Sequence, residues 1–119
     1  MSTRVEFDDR VEWHDDQGRI HRDDGPAIEY ADGELNWFKE GRKHRDDGPA
    51  VVCVEGRYRE WWVEGKRHRL DGPAIECIDG TKIWFQNGRH HRLDGPAIEH
   101  ADGHSEWWIE GREIKCRRA

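Results

Sequence analysis

Apolar residues occur along this chain in short groups separated by polar turn sequences, and no long apolar run is present. The groups are of two kinds: a branched aliphatic residue that follows an alanine, and a pair of adjacent aromatic residues. The aromatic pairs are Trp37-Phe38, Trp61-Trp62, Trp84-Phe85 and Trp107-Trp108. β-Branched and aromatic residues in short segments between turns are typical of β-strands. The pattern therefore predicts short strands throughout the chain and no helix.

These groups are spaced by a motif, His-Arg-x-Asp-Gly-Pro-Ala, that occurs four times. It occupies residues 21–27, 44–50, 68–74 and 91–97, so successive copies start 23, 24 and 23 residues apart. An incomplete unit with Trp13 precedes the four copies, and Ile114 breaks the pattern where a fifth would begin. Terminal repeats of an array act as caps. The predicted organisation is an N-terminal strand or cap (1–10), a repeat array (11–113) and a basic C-terminal tail (114–119).

Each unit contains two turn signals, one before and one after the aromatic pair. Asp-Gly and Asn-Gly favour type I′ turns, which need a positive φ at both central residues, and Glu-Gly is a weaker signal of the same kind. The motif proline opposes helix and kinks the strand that contains it. We therefore expect one hairpin per unit. In the second unit a long kinked strand would cover residues 42–54, and a shorter strand would carry Trp61 and Trp62.

The predicted fold class is all-β. About four and a half units of 23 residues would stack side by side as an elongated, twisted antiparallel meander, either an open sheet or a curled solenoid. The order Trp-x-x-x-Gly-x-x-His, then Gly, then Asp-Gly, resembles the MORN repeat over about residues 11–113. Here Arg-x-Asp-Gly-Pro-Ala replaces the glycines after the histidine, and an aromatic doublet replaces the family's aromatic-x-Gly opening. The resemblance is to a divergent bacterial or viral MORN-like repeat protein and implies stacked hairpins.

Adjacent strand residues point to opposite faces of a sheet, so each aromatic doublet supplies both faces. Either both aromatic rows are buried or half-buried, or one row forms an exposed stripe that binds a partner. Positions that vary between units are further candidates for specificity, namely residues 34–36, 57–60, 81–83 and 104–106, with a bulge expected at 57–60. The candidate partner-binding residues are Trp61, Trp62, Trp84, Phe85, Trp107, Trp108, Tyr58 and Glu60.

The motif itself is interpreted as structural. Its arginine and aspartate are expected to pair across the kink or to bind backbone groups that the proline leaves open. Histidines in neighbouring units would lie about 10 Å apart, two strand spacings, which is too far for one zinc ion. No metal site and no catalytic residue is predicted. The structural residues are His44, Arg45, Asp47, His68, Arg69, Asp71, His91, Arg92 and Asp94.

Composition narrows the functional classes. The net charge is −6, which disfavours direct nucleic-acid binding and favours a partner with a basic surface. Cys53, Cys77 and Cys116 form no disulfide framework, and the stacking places Cys53 and Cys77 about 10 Å apart, beyond disulfide reach, so free thiols in the cytoplasm are expected. No known catalytic motif, cofactor motif, signal peptide or membrane-spanning segment is recognised.

The predicted function is a non-enzymatic protein-binding module. With the charge and the resemblance, it would suit a phage or bacterial inhibitor that docks on a basic surface of a host nucleic-acid-handling or defence complex. The alternative is binding of a small ligand or glycan through the tryptophan-rich rows. Pairing of the edge strands would give a homodimer.

Overall fold

The computed structural model describes residues 2–53 and 55–115, and all its regular structure is β-strand. In chain order the strands are β1 (Thr3–Glu6), β2 (Arg10–His14), β3 (Ile28–Tyr30), β4 (Leu35–Asn36), β5 (Phe38–Lys39), β6 (Arg42–Lys43), β7 (Val51–Cys53), β8 (Tyr58–Glu60) and β9 (Trp62–Val63). They continue with β10 (Lys66–Arg67), β11 (Ile75–Glu76), β12 (Lys82–Ile83), β13 (Phe85–Gln86), β14 (Arg89–His90), β15 (Ile98–Glu99), β16 (Ser105–Ile109) and β17 (Arg112–Ile114).

Eleven strands form one open antiparallel sheet in the order β1-β2-β3-β4-β7-β8-β11-β12-β15-β16-β17. The molecule measures 60 × 26 × 20 Å. Each unit adds two strands to this main sheet, so the sheet lengthens with the number of units. The predicted all-β, elongated antiparallel meander is confirmed, and the sheet is open rather than closed. A strand in the first ten residues was expected, and β1 occupies that position.

Each unit contains two hairpins, whereas the sequence predicted one. The second is a short pair beside the main sheet, which we call the side hairpin: β5–β6, β9–β10 and β13–β14. In the fourth unit the equivalent hairpin is the end of β16 paired with β17. The expected long strand over residues 42–54 is therefore wrong. β6 belongs to a side hairpin and β7 to the main sheet, and the motif between them is a loop. Trp61 and Trp62 do not share a strand either, since β8 ends before Trp61 and β9 begins at Trp62.

The two hairpins use different turns. The side-hairpin turns have positive φ at both central residues, as at Glu64 (49°) and Gly65 (79°), which is the type I′ pattern. At the Asp-Gly pairs of the main sheet only the glycine has positive φ, as at Gly33 (98°). The Gly33 N–H donates to the Tyr30 carbonyl at 3.0 Å, and the Tyr30 N–H donates to the Glu34 carbonyl at 2.9 Å. These are three-residue loops with a type I turn and a G1 bulge, so the type I′ prediction is wrong for the Asp-Gly pairs.

The core is a single row of side chains across one face of the main sheet. Strand register aligns Val5, Glu12, Ile28, Asn36, Val51, Glu60, Ile75, Ile83, Ile98 and Glu106. The side hairpins and the motif alanines enclose this row. All four motif alanines, Ala27, Ala50, Ala74 and Ala97, are fully buried. The backbone of Ala27 is bonded on both sides, since its N–H donates to the Asn36 carbonyl at 2.8 Å and its carbonyl accepts from the Trp13 N–H at 2.8 Å.

The side hairpins also form a column, because each bonds to the one before it. The Gly65 N–H donates to the Lys43 carbonyl at 2.9 Å, and the Gly88 N–H donates to the Arg67 carbonyl at 2.9 Å. The Arg69 N–H then donates to the Phe85 carbonyl at 3.1 Å. Neighbouring units are thus joined by backbone hydrogen bonds at two places, the main sheet and the side hairpins.

Candidate functional site

Each motif histidine joins the start of its unit to the turn at the end of the same unit. His21, His44, His68 and His91 each accept, at Nδ1, the backbone N–H of the first residue of the turn that follows the aromatic pair, at 2.9 Å. Those donors belong to Glu40, Glu64, Asn87 and Glu110. Since a backbone N–H can only donate, Nδ1 must be unprotonated in this arrangement. The bond also helps to hold a non-glycine residue at positive φ.

The four motif histidines differ in what lies near their other ring nitrogen, Nε2. His21 Nε2 lies 2.9 Å from Asp23, and His44 Nε2 lies 2.8 Å from Asp46. In the third and fourth units the corresponding motif position is Leu70 or Leu93, which offers no hydrogen-bonding group. The third motif position is therefore the place where the two halves of the array differ.

The motif arginines pack on the first aromatic of each doublet. Arg69 Cζ lies 3.8 Å from the centroid of the Trp61 ring, and Arg92 lies 4.0 Å from Trp84. Arg69 Nε also donates to Asp71 at 3.2 Å, and one terminal nitrogen donates to the Pro73 carbonyl at 3.1 Å. The same contacts recur in the other three motif loops. The expected pairing of motif arginine with motif aspartate is therefore present in every copy.

The motif glycine provides the space that the arginine occupies. A Cβ placed on Gly72 would lie 2.7 Å from Arg69 Cζ, and one on Gly25 would lie 3.2 Å from Arg22 Cζ. At Gly72 the guanidinium group would have to shift to admit a side chain, whereas at Gly25 it would have to give by only a few tenths of an ångström. The guanidinium group therefore favours glycine at this position, whose φ is not in the left-handed region.

The first row of aromatic candidates is half-buried beneath these arginines, with one exception. Trp61 and Trp84 are partly covered, but Trp107 is 47% exposed. Lys115 occupies the position where a fifth motif would supply an arginine. The last unit therefore leaves one tryptophan without the cover that the others have.

The second aromatic row alternates with basic side chains along the column of side hairpins. Lys43 Nζ lies 4.8 Å and Arg67 Cζ 4.9 Å from the ring centroid of Trp62. His90 stacks between Phe85, at 4.4 Å, and Trp108, at 5.0 Å. Both aromatic rows are thus mainly half-buried, one of the two arrangements that the sequence allowed.

His90 is the titratable member of this column. Burial lowers the pKa of its imidazole, an effect that Glu106 partly opposes and Arg67 reinforces. Its buried Nδ1 has no hydrogen-bond partner among residues 2–53 and 55–115. The ring is therefore held in its neutral form more strongly than a free histidine would be.

Two of the candidate partner-binding residues are too deeply buried for that role. Glu60 and Phe85 are each only 8% exposed. Glu60 accepts hydrogen bonds from the Tyr58 hydroxyl and from Trp62 Nε1, the latter at 2.7 Å. Burial, and then the hydrogen bond to Glu60, raise the pKa of the Tyr58 phenol. Glu60 is a core carboxylate that orients two aromatic side chains, so its predicted contact with a partner is corrected.

Related carboxylates occupy the same row in the first and last units. Hydrogen bonds from His100 and Trp108 lower the pKa of Glu106. At Glu12, desolvation acts to raise the pKa, but hydrogen bonds from His14 and Arg10 outweigh it, so the pKa is lowered. Both groups are held in their charged form.

The variable positions named from the sequence lie in the main sheet. Asn36 is buried at 4% exposure, whereas Arg59, Lys82 and His104 are exposed. The bulge expected at residues 57–60 is absent, because β7 and β8 pair directly from Val51↔Glu60 to Cys53↔Tyr58. The extra residue of this unit lies between Cys53 and Tyr58.

The thiols and histidines give no metal-binding geometry. Cys53 and Cys77 are free, and burial raises the pKa of both thiols. Tyr58 pairs with Cys53 across β7 and β8, and Tyr58 and Cys77 both pack against the buried cluster of Ala74, Ile75 and Phe85. Within residues 2–53 and 55–115, no three His, Cys, Asp or Glu side chains are grouped so that they could hold a metal ion. The third thiol, Cys116, lies outside the described residues.

Highly exposed side chains lie on the motif loops, which line one ridge of the molecule. We define the ridge by its third and fourth motif residues, Asp23, Asp24, Asp46, Asp47, Leu70, Asp71, Leu93 and Asp94. The side chains of its six aspartates are between 78% and 89% exposed. The fourth-position aspartates were predicted from the sequence to be structural, and no role was predicted for the third position. The third position can be recognised in the sequence, because it is the one position that varies within the motif.

No family model matches the chain, and no curated protein or solved structure is significantly similar to it. The likeness to MORN repeats therefore stays a prediction from the motif spacing. The described residues contain no helix that is long and apolar enough to cross a membrane.

Proposed function

We propose that this chain is a non-enzymatic protein-binding module and that its ridge docks on a basic surface of a partner protein. The observation that carries the proposal is the set of six exposed aspartates on one ridge. Each is held by a neighbour: Asp46 lies against His44 Nε2, and Asp47 accepts from Arg45 Nε. Carboxylates that are already fixed lose little conformational freedom when they meet a cation. Repeated units supply them at intervals of about 10 Å, two strand spacings.

The partner that best fits this chemistry is a basic protein surface. Proteins that handle nucleic acid carry such surfaces. Together with the resemblance to bacterial or viral repeat proteins, this supports an inhibitor of phage or bacterial origin that acts on a host nucleic-acid-handling or defence complex. The free thiols of Cys53 and Cys77 are compatible with a reducing cytoplasm.

Binding of sugars or cations on the tryptophan rows has less support. One face of Trp61 is already covered by Arg69, and the same holds for Trp13, Trp37 and Trp84 under their own arginines. Trp62 and Trp108 donate their indole N–H groups to core carboxylates. A ligand would have to displace these contacts.

The test is capture of a partner from a bacterial lysate by the immobilised chain, compared with the Asp23→Asn/Asp46→Asn variant. Asparagine keeps an oxygen that can accept from the motif histidine, so the fold is retained. We expect a basic protein that the native chain retains, that elutes with salt and that the variant loses. The Glu55→Gln/Glu113→Gln variant removes the same charge from exposed sites away from the ridge and should behave as native. Equal retention by all three chains would refute the ridge as the docking surface.

A further inference from the structure

The ridge is not uniform along its length. Asp23 and Asp46 occupy the third motif position in the first two units, and Leu70 and Leu93 occupy it in the last two. Leu70 is 69% exposed and Leu93 is 77% exposed, higher than any other large hydrophobic residue in the described ranges 2–53 and 55–115. Two leucines in neighbouring units, both directed to solvent, form an apolar block on an otherwise charged edge.

Nothing in the fold requires leucine at these two positions. His68 and His91 keep the Nδ1 contact to the turn at the end of their own unit although the third motif position offers them leucine in place of a carboxylate. The other motif residues are all engaged: the arginine stacks and donates, the glycine gives it space and the alanine is buried. The third position is therefore the one part of the motif that is free to differ for reasons outside folding.

The charge of the ridge changes along the same direction. The first two motif loops carry Asp23, Asp24, Asp46 and Asp47, whereas the last two carry only Asp71 and Asp94. Asp71 and Asp94 each accept a hydrogen bond from their own motif arginine, Arg69 and Arg92. The ridge thus has an acidic half, with four aspartates, followed by a mixed half with two leucines and two aspartates.

We infer that the partner's contact segment carries basic and apolar side chains in two separate blocks, and that the ridge recognises them in that order. The basic block lies on Asp23 and Asp46, and the apolar block lies on Leu70 and Leu93. Four units span about 40 Å, the length of about 12 residues of extended chain, so one side chain in every three would meet a unit. This inference rests on the proposed function, because it specifies the partner of the same ridge.

Aspartate and leucine both occur at the third motif position, so exchanging them between units gives substitutions that the fold accepts. Leu70→Asp with Leu93→Asp makes the last two units resemble the first two, and it gives His68 and His91 the carboxylate that Asp23 gives His21. The reciprocal pair, Asp23→Leu with Asp46→Leu, extends the apolar block. Ile78→Asp is the matched control, since Ile78 is 59% exposed but belongs to a main-sheet turn rather than the ridge.

A displayed library of random 12-residue peptides, panned in parallel against the native chain and these variants, tests the inference. For the native chain we expect enriched sequences that combine a basic cluster with a separate apolar cluster. Leu70→Asp/Leu93→Asp should lose the apolar cluster by at least several-fold and keep or strengthen the basic one. Asp23→Leu/Asp46→Leu should lose the basic cluster, and Ile78→Asp should leave the native pattern unchanged.

Two other results have separate meanings. Basic enrichment on the native chain without a separate apolar cluster, or an apolar cluster that is equally enriched on Leu70→Asp/Leu93→Asp, would overturn the two-block inference while leaving the acidic ridge intact. Absence of any basic enrichment on the native chain, or its persistence in Asp23→Leu/Asp46→Leu, would overturn the docking function and this inference with it.

Discussion

At the scale of single residues, the motif is a set of linked contacts. Arginine joins tryptophan, aspartate and the proline carbonyl, and glycine makes room for it. The local pairing of Arg45 with Asp47 was predictable, because the two residues are two positions apart. The contact from His44 to the Glu64 N–H joins residues 20 positions apart. No local pattern indicates it, because it depends on a side hairpin that only stacking brings into reach.

The dependence of the motif glycine on the arginine can be tested with a double-mutant cycle. Gly72→Ala places a methyl group against the Arg69 guanidinium, which must then leave Trp61 and the Pro73 carbonyl. In an Arg69→Gln background this clash is gone, and alanine should be neutral or favourable because it lowers the entropy of the unfolded chain. We expect a coupling free energy of about 1 kcal/mol between the two sites, measured by urea unfolding. Equal effects of Gly72→Ala in both backgrounds would contradict the packing described.

His90 provides a pH-dependent test at the same scale. Burial lowers the pKa of His90 in the folded chain, so below about pH 6.5 the unfolded chain binds a proton that the folded chain resists. Stability should therefore fall as the pH drops from the ordinary histidine range through the lowered folded pKa. His90→Arg places a cation on the aromatic column, as Arg67 does, and removes this titration. Unfolding free energies at pH 7.5 and 5 should show a smaller loss for the variant than for the native chain, and identical losses would exclude a contribution from His90.

At the scale of elements, the side hairpin is the feature that the sequence pattern does not predict. Strands and turns were predictable from the aromatic pairs and the Gly positions, but two hairpins per unit were not. The motif proline predicts a kink inside one strand. In the structure β6 ends before the motif loop and β7 begins after it. Backbone groups of the loop bind other partners instead: the proline carbonyl accepts from the motif arginine, and the arginine N–H donates to the following side hairpin. The doublet Trp61-Trp62 likewise spans the boundary between the two hairpins.

Dipeptide preference predicts type I′ turns in both hairpins of a unit. The side hairpins have this turn, but the Asp-Gly turns of the main sheet do not. Asp32-Gly33 forms a bulged three-residue loop because the Asp32 side chain accepts the Glu34 N–H at 2.9 Å, which favours negative φ at the aspartate. Glu64-Gly65 forms the type I′ turn despite the poor preference of glutamate, because His44 accepts the Glu64 N–H. A supporting contact from a residue 20 positions away therefore outweighs the local preference.

The strain at this turn predicts a stabilising substitution. Glu64 has φ of 49°, and asparagine tolerates this region better than glutamate. Asn87 already occupies the equivalent position in the next unit, with the same 2.9 Å bond to its motif histidine. Glu64→Asn should raise the free energy of unfolding by about 0.5–1 kcal/mol in urea titrations. Glu55→Asn is an informative comparison, because Glu55 also has positive φ but belongs to a main-sheet turn. No gain at Glu64 would mean that the histidine contact already removes the strain.

At the scale of the whole molecule, the chain is a one-dimensional stack in which each unit contacts its neighbours through the main sheet and through the bonds between side hairpins. The buried cluster around Ala74, Ile75 and Phe85 involves only adjacent units. This accounts for a foldable chain with only 34% hydrophobic residues, since small local clusters repeated along the sheet replace one large core.

A nearest-neighbour stack should tolerate removal of one complete unit. Deletion of residues 68–90 joins Arg67 to His91, so an intact motif follows β10, and His91 keeps its bond to the Glu110 N–H. We expect a folded β-protein whose urea m-value is smaller by about one fifth, because unfolding exposes about one unit less surface. Deletion of residues 68–87 instead breaks the phase, placing Gly88 directly after Arg67, and should abolish cooperative unfolding. If the in-phase deletion also abolished cooperative unfolding, the units could not be equivalent modules. The stability of the array would then have to come from contacts that span more than one neighbour.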